Sequence, residues 1–292
     1  MVAGARGSRG SNSVYRIGFM QGRLSPPVGD RIQAFPWTDW RDEFPAAHSL
    51  GFTLMEWTVD VARLRENPIM TSAGREEIRA LAATFGIRVR SLTADCVMEA
   101  PFYNTTDREW AGRLDDLKGL IDACAQSGIV LLVIPLVDDG RLVNEAQEDA
   151  LRQGLLPFTP TLRDSGVRVV FESDFPPQRL REFIDTFPPE VYGLNYDTGN
   201  SAALGYDPRE EIERYGARIW NVHVKDRRRG GTTVPLGTGA ADLPTVFRLL
   251  VRSGYAGDYI LQTARAAHGD HAAALGRYRG MVASWLAAAD GP

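Results

Sequence analysis

Residues 107–136 read DREWAGRLDDLKGLIDACAQSGIVLLVIPL, in which a helical pattern passes directly into an apolar run. The helical part ends on Gly128, and glycine is the residue that most often closes a helix. The apolar part, IVLLVIPL at 129–136, lacks the polar alternation of a half-exposed strand and is typical of a strand covered on both faces. This stretch therefore predicts one unit of an α/β fold with a parallel sheet.

The same unit recurs along the whole chain. Helical segments end on glycine just before the next strand, at Gly51, Gly86, Gly128, Gly166 and Gly254. Eight such units without a linker favour a closed (β/α)8 TIM barrel. An open doubly wound sheet is the alternative, although the sequence has neither a glycine-rich dinucleotide fingerprint nor a Walker-type loop. The predicted strands are YRIGFM (15–20), FTLMEW (52–57), VRSLTA (89–94), IVLLVIPL (129–136), VRVVFE (167–172), YGLNYD (192–197), IWNVHV (219–224) and DYILQ (258–262).

The length and composition agree with this fold. Of the 292 residues 44% are hydrophobic and 24% are charged, as in an ordinary globular protein. Because a TIM barrel takes about 250 residues as one domain, residues 14–292 are predicted to form a single barrel. The first stretch, MVAGARGSRGSNS (1–13), is small, polar and basic, and we predict a disordered leader there.

Charge and cysteine content argue against several classes of function. The formal net charge of −4 gives no general attraction to nucleic acid or to anionic lipid, and no apolar stretch reaches the roughly 18 to 20 residues of a membrane span. Cys96 and Cys124 fit neither a disulfide framework nor a paired thiolate metal motif, so a cytoplasmic location is predicted. The run Arg227-Arg228-Arg229 is interpreted as a solvated loop or an anion site.

Polar residues at the ends of the predicted strands form the candidate site. In NVHVK (221–225), Asn221, His223 and Lys225 share one face and are expected to look into the barrel, whereas Trp220, Val222 and Val224 should meet the helices. Carboxylate, imidazole and amide groups suit Mn²⁺, Mg²⁺, Co²⁺ or Zn²⁺. Taken singly, each residue could instead cap a helix, form an ion pair or satisfy buried hydrogen bonds. The four residues expected to converge as metal ligands are Glu172, Asp197, His223 and Gln262.

At these residues the chain resembles the xylose isomerase-like TIM barrel superfamily, in its sugar-phosphate isomerase and epimerase branch. The resemblance runs from IGFMQGRL (17–24) to the last helix, and its endonuclease branch is set aside because the chain has only four histidines. It implies a divalent metal, with Mn²⁺ as the first expectation, held by Glu, Asp, His and Glu from strands five to eight. The motifs that carry it are VVFESD (169–174), NYDTGNSAALG (195–205), NVHVKDR (221–227) and PLGTGAADLP (235–244).

Gln262 stands where the resemblance implies the strand-eight glutamate. Its amide keeps an oxygen ligand but gives up the charge and the proton, so metal binding should be weaker. Epimerases of this superfamily use the strand-five and strand-eight glutamates as opposing acid and base, whereas isomerisation through an enediolate needs one base on one face. Gln262 therefore favours isomerisation over epimerisation.

The catalytic residues are then predicted to be Glu172, Lys225 and Gln262. Glu172 is the expected base and metal ligand, and Lys225 would polarise or protonate a substrate oxygen, with an ion pair to a strand-end carboxylate as the structural alternative. An epimerase would have to recruit Lys225, Asp174 or Glu56 as its second group. Residues expected to contact the substrate are Gln21, Arg23, Glu56, Asp95, Asn200, Arg227, Arg265 and His268.

The function predicted from these residues is aldose–ketose isomerisation of a sugar or sugar phosphate. Epimerisation and dehydration of a keto-polyol are the enzymatic alternatives, and a metal-free or non-catalytic carbohydrate-binding barrel is the alternative of another class. The glycine-bearing loops after strands seven and eight are expected to hold a phosphate, unless Gly237-Thr-Gly239 is simply a tight turn. Neither nucleic acid nor membrane is an expected partner, and a homodimer is possible.

Overall fold

Eight parallel strands close into a barrel in which each strand pairs with its neighbours in sequence and the eighth pairs with the first. The computed structural model describes residues 15–29, 31 and 33–290, so the predicted leader 1–13 lies outside the described residues. The fold is the predicted (β/α)8 TIM barrel. The strands are β1 (Ile17–Met20), β2 (Leu54–Thr58), β3 (Arg88–Thr93), β4 (Leu131–Leu136), β5 (Arg168–Ser173), β6 (Tyr192–Asp197), β7 (Ile219–Val224) and β8 (Asp258–Leu261).

Helices surround the barrel and connect its strands. All five glycines expected to end helices adopt positive φ angles, between 66° at Gly86 and 82° at Gly254. No described helix combines the length and the apolar character that crossing a bilayer requires. The helices are α1 (Glu43–Ser49), α2 (Ser72–Phe85), α3 (Asp95–Glu99), α4 (Asp107–Ser127), α5 (Glu145–Leu155), α6 (Thr159–Ser165), α7 (Pro177–Asp185), α8 (Thr198–Leu204), α9 (Pro208–Tyr215), α10 (Leu243–Arg252) and α11 (His271–Ala289).

The main apolar core lies between the strands and the helices, where one face of each strand packs. The barrel interior is filled separately, as in other TIM barrels, by two small apolar clusters. One cluster contains Met20, Leu54 and Ile260, and the other contains Leu131, Val133 and Val170. These clusters form the floor on which the polar residues at the carboxyl ends of the strands rest.

Two strands contain an extra residue that changes the side-chain alternation. On β3 the register with β2 shifts so that Arg90 is left without an opposite residue, and on β7 the shift against β6 does the same for Trp220. The expectation that Trp220 shares a helix-facing side with Val222 and Val224 is therefore wrong. Trp220 packs instead against the interior cluster of Leu131, Val133 and Val170, because a bulge reverses the alternation at that point.

Candidate active site

A cavity of about 330 Å³ opens at the carboxyl ends of the strands. This is the end where TIM barrels carry their active sites, because the loops that follow the strands converge there. Seven of the residues predicted for the site line this cavity: Arg23, Asp95, Glu172, Asn200, Lys225, Arg227 and Gln262.

Three of the four predicted metal ligands lie together. Glu172 on β5, Asp197 at the end of β6 and His223 on β7 each offer an atom, and these atoms lie within 4.8 Å of one another. All three residues are buried, so the cluster is shielded from solvent. Gln262 follows β8 and lines the same cavity.

Two atoms of this set lack the hydrogen bonds that buried polar groups normally make. Within the described residues, Gln262 Oε1 has no hydrogen-bond partner, and His223 Nδ1 makes no aligned hydrogen bond although Glu172 Oε2 lies 3.0 Å away. A buried polar atom without a partner costs about 1–3 kcal/mol, and a bound cation would satisfy both a ring nitrogen and an amide oxygen. The donor set therefore fits a divalent metal ion.

His223 is oriented by a second carboxylate from across the barrel. Its Nε2 lies 2.6 Å from Glu56 Oε1, and its Nδ1 lies 3.0 Å from Glu172 Oε2. Burial alone would lower the pKa of His223, but Glu56 and Glu172 together raise it to about 10. A metal ion that bound Nδ1 would displace the proton from that nitrogen, while the proton on Nε2 stays donated to Glu56.

Glu172 is held by two asparagine amides. Asn195 Nδ2 donates to Oε2 at 2.8 Å and Asn200 Nδ2 donates to Oε1 at 2.7 Å. Arg227 Nη1 in turn donates to Asn200 Oδ1 at 2.8 Å. The carboxylate is thus fixed in direction at the wall of the cavity, as a positioned base requires.

Asp197 has two structural roles besides its place in the cluster. Its Oδ1 caps α8 by accepting from the backbone N–H groups of Gly199 and Asn200, each at 2.8 Å. Its Oδ2 lies 2.7 Å from Lys225 Nζ, which is the ion pair expected as the structural alternative for Lys225. Burial would raise the pKa of Asp197, but the positive charges of Lys225 and His223 lower it.

Asp95 brings an additional carboxyl group to the cavity. It is buried at the start of α3, and its Oδ2 has no hydrogen-bond partner among the described residues. Burial raises the pKa of Asp95 well above its usual range, and the negative charges of Asp60, Glu99 and Glu172 raise it further. The shift favours the protonated form of this carboxyl group, which is the form that can donate a proton.

The other residues expected to contact substrate lie away from this cavity. Gln21 accepts from the backbone N–H of Thr58 at 3.1 Å, and Glu56 is enclosed in the barrel interior beside His223. Arg265 donates to the backbone oxygens of Ser25 and Gly22 at 2.7 and 2.5 Å, so its guanidinium holds the loop after β1. His268 is exposed in the segment after β8.

The glycine-bearing loop after β7 is a tight turn around a carboxylate. The N–H groups of Gly237 and Gly239 donate to Asp226 Oδ2, each at 2.9 Å, and Ala241 N–H donates to Oδ1 at 3.0 Å. These N–H groups are therefore committed to Asp226 and do not face the cavity. The positively charged side chains that line the cavity are those of Arg23, Lys225 and Arg227.

Several site residues were missed from the sequence. Asn195 shares strand parity with Asp197, so the alternation that placed Asn221 beside His223 would also have found it. The loop residues have no periodic signal, because their position depends on the path of the connections. Those that line the cavity include Gln33, Glu99, Asp138, Thr232 and Thr233.

The comparisons with known proteins agree with this architecture. The family model described as xylose isomerase-like TIM barrel matches residues 44–279. The chain belongs to this family, which confirms the resemblance noted in the motifs.

A relative with full-length similarity is an epimerase. The L-ribulose-5-phosphate 3-epimerase UlaE of Escherichia coli K12 is 28% identical over 279 residues, covering 90% of this chain and 96% of the relative. Epimerases are isomerase-class enzymes, in agreement with the predicted enzyme class.

Two solved structures show the same fold. The IOLI protein with a bound zinc atom has a TM-score of 0.73 at 15% identity, covering 95% of this chain and all of the other. A xylose isomerase-like TIM barrel protein from Mycobacterium smegmatis, solved with magnesium, has a TM-score of 0.68 at 19% identity, covering 95% and 98%. At these identities the likeness establishes the fold alone.

Proposed function

We propose that the protein is a divalent-metal-dependent isomerase of a phosphorylated sugar, which moves a proton at a carbon next to a carbonyl group. The observation that carries this proposal is the pairing of an oriented carboxylate, Glu172, with the compact cluster of Glu172, Asp197 and His223. The name of the E. coli relative supports a ketose phosphate as substrate.

The metal would be held by Glu172, Asp197, His223 and the amide oxygen of Gln262. When bound, a divalent cation polarises a substrate carbonyl and stabilises negative charge on its oxygen. Two carboxylates balance the two charges of such an ion, whereas a glutamate at position 262 would leave an excess of one negative charge. Mn²⁺ is our first expectation because the oxygen-rich set with one imidazole suits it, and Mg²⁺, Co²⁺ and Zn²⁺ are the alternatives.

Glu172 would remove the proton from the substrate carbon. The amides of Asn195 and Asn200 leave its carboxylate fixed at the cavity wall, where it can receive a proton and return it to the neighbouring carbon. Proton removal and return on one face is the requirement of aldose–ketose isomerisation. Gln262 has no proton to give on another face, which favours this reaction.

Positive side chains around the cavity would bind the phosphate and the oxygens of the sugar. Arg227 donates from Nη1 to Asn200 and from Nε and Nη2 to the backbone oxygen of Gly231, so the remaining N–H groups of its two Nη atoms would bind a substrate oxyanion. Arg23 adds a second guanidinium, and burial lowers its pKa, as does the adjacent charge of Arg265. Lys225 would donate to a substrate oxygen while its Nζ stays paired with Asp197.

Epimerisation at C3 is the second candidate, and two observations favour it. The E. coli relative is named as a 3-epimerase, and Asp95 brings a carboxyl group with a raised pKa to the same cavity. In a 2-ketose phosphate both C1 and C3 flank the carbonyl. The two reactions therefore differ in which carbon faces Glu172 and in whether a second group returns the proton from the other side.

One experiment separates these functions. L-ribulose 5-phosphate is incubated in D₂O with the Mn²⁺-loaded protein, and deuterium is located by NMR. Deuterium at C1 with formation of an aldose indicates isomerisation, and deuterium at C3 with an inverted centre indicates epimerisation. If Glu172 is the base, the Glu172→Gln variant should incorporate deuterium at either carbon at least about 100-fold more slowly.

A carbohydrate-binding barrel without catalysis would bind the sugar and exchange no proton. Metal content by plasma mass spectrometry, on protein purified without a chelator and beside His223→Ala, tests the metal requirement separately. Near-stoichiometric metal that is lost in His223→Ala supports the site. Full exchange activity in protein free of metal would contradict it.

A further inference from the structure

The opposite end of the barrel contains a second cavity, of about 310 Å³, which the proposed reaction does not use. Its walls come from the beginnings of the strands, at the amino end of the barrel. The charged and aromatic residues that matter for its chemistry are Arg16, Arg90, Arg168, Trp220 and Asp258.

This amino-end cavity carries an excess of positive charge. Asp258 is the only carboxylate that lines it among the described residues, and it is 1% exposed. Asp258 accepts from Arg16 Nε and from Arg90 Nε, the latter at 3.2 Å. Three guanidinium groups thus stand against one carboxylate, which leaves two positive charges without a balancing group in the wall.

Much of the hydrogen-bonding capacity of these arginines is unused. Arg168 stacks on Trp220, with its guanidinium carbon 4.7 Å from the ring centroid. Within the part of the chain that the structure describes, Arg168 has no ion pair, and Arg90 has one only through Nε. A guanidinium that stacks by its face presents its N–H edge to a ligand, and paired N–H groups match the oxygens of a phosphate.

The backbone is shaped to build this cavity. Arg90 and Trp220 are the two extra residues where strand register shifts, so each bulge aims a side chain at the same space. On β6, Gly193 leaves room for the indole, because a Cβ atom there would lie 2.5 Å from the Trp220 ring. Arg16, which lies on neither bulge, already pairs with Asp258. The two bulges are therefore not needed to neutralise this carboxylate.

We propose that the amino-end cavity binds a small dianionic phosphate, either inorganic phosphate or the phosphate group of a metabolite. A phosphate dianion balances the two excess charges and accepts from the N–H edges of Arg90 and Arg168. Because the packed barrel interior separates this cavity from the catalytic one, the ligand occupies a site distinct from the substrate's.

The test is a titration of the full-length protein with inorganic phosphate and, separately, with ribose 5-phosphate, at constant ionic strength set with chloride. Binding is followed by calorimetry and by tryptophan fluorescence. Arg168→Gln should weaken the amino-end site by about tenfold or more, since a hydrogen bond to a charged group contributes about 1.5–3 kcal/mol. Arg227→Gln, in the other cavity, should leave this binding unchanged. Trp220→Phe should remove the fluorescence change on binding but retain the heat of binding measured by calorimetry.

The proposal would be overturned if phosphate binding were lost in Arg227→Gln and retained in Arg168→Gln. It would also be overturned if neither compound bound at about 10 mM. If Arg168→Gln does not fold by circular dichroism, Arg90→Gln carries the same comparison, since its Nη groups face the same space. The comparison of the two compounds uses only the binding that Arg168→Gln weakens. If that binding is as tight for inorganic phosphate as for ribose 5-phosphate, the free anion is the ligand, and if it is tighter for the ester, the ligand is a metabolite.

Discussion

Glu56 and His223 meet inside the barrel although 167 positions separate them in the chain, with Glu56 Oε1 2.6 Å from His223 Nε2. Both side chains are fully buried. Glu56 also accepts from Thr93 Oγ1 at 2.6 Å and from Asn221 Nδ2 at 2.9 Å. The carboxylate is therefore held in place, and it holds the imidazole in turn with Nδ1 toward Glu172.

Replacing Glu56 by glutamine should weaken metal binding while leaving the ligand atoms in the chain. The neutral amide no longer draws the Nε2 proton toward it, so the tautomer with a free Nδ1 is less favoured. Loss of such a supporting carboxylate typically costs 10- to 100-fold in metal affinity, and we expect a loss in that range for Mn²⁺ by calorimetry. Glu99→Gln makes the same chemical change at a carboxylate that lines the cavity and pairs with Arg31, and it should alter the affinity less than about threefold. Equal losses in both variants would contradict the role assigned to Glu56.

Replacing Gln262 by glutamate should tighten metal binding. The variant adds one negative oxygen ligand to Glu172, Asp197 and His223, and the number of charged ligands tunes affinity for hard cations. We expect the dissociation constant for Mn²⁺ to fall by at least about tenfold, measured by competition with a fluorescent chelator. Because glutamine and glutamate have nearly the same shape, the substitution leaves the volume of the cavity unchanged. A constant equal to that of the unaltered protein would show that position 262 is not a ligand.

Much of the fold could be predicted because it depends on patterns that are local in sequence. Every observed strand overlaps its predicted range, since continuous apolar runs and helix-ending glycines mark both ends of each unit. The exception is the alternation at Trp220, because a bulge depends on pairing with a neighbouring strand and leaves no local signature.

The candidate site was predictable where its residues lie on strands. The alternation of side chains along the strands predicted that Glu172 and His223 point into the barrel, and the structure brings them together with Asp197. The loop residues were harder, since Arg265 was expected at the substrate and instead donates to backbone oxygens of the loop after β1. Which partner an arginine on a loop chooses depends on tertiary packing that the sequence pattern does not encode.

Asp95→Asn should separate the two candidate reactions. If Asp95 returns a proton at C3, its amide loses that ability, and deuterium incorporation at C3 of L-ribulose 5-phosphate should fall by about 100-fold or more. Exchange at C1 needs only Glu172 and should change less than about threefold. Equal losses at both carbons would show that Asp95 supports the cavity and does not take part in proton transfer.

Because Glu43 is buried beneath the loop that carries Arg23, we expect the free energy of unfolding of the protein to depend on pH. Its carboxyl group accepts from the backbone N–H groups of Gly22, Leu24 and Ser25, at 2.9–3.1 Å. Burial nevertheless raises the pKa of Glu43 from 4.5 to about 6, while these hydrogen bonds oppose the rise. A raised carboxyl pKa means that the folded state binds the proton more tightly than the unfolded state.

The stabilising contribution of Glu43 is therefore complete below pH 4.5 and is lost as the pH rises through 6. The free energy of unfolding of the unaltered protein, relative to Glu43→Gln, should fall by about 2 kcal/mol between pH 4.5 and 7. Urea unfolding of both proteins at several pH values measures this difference. Glu77→Gln, which removes an exposed carboxylate paired with Arg41, should show no comparable trend. A difference for Glu43→Gln that is flat or grows with pH would mean that the carboxylate, held by its three N–H donors, is the favoured form throughout.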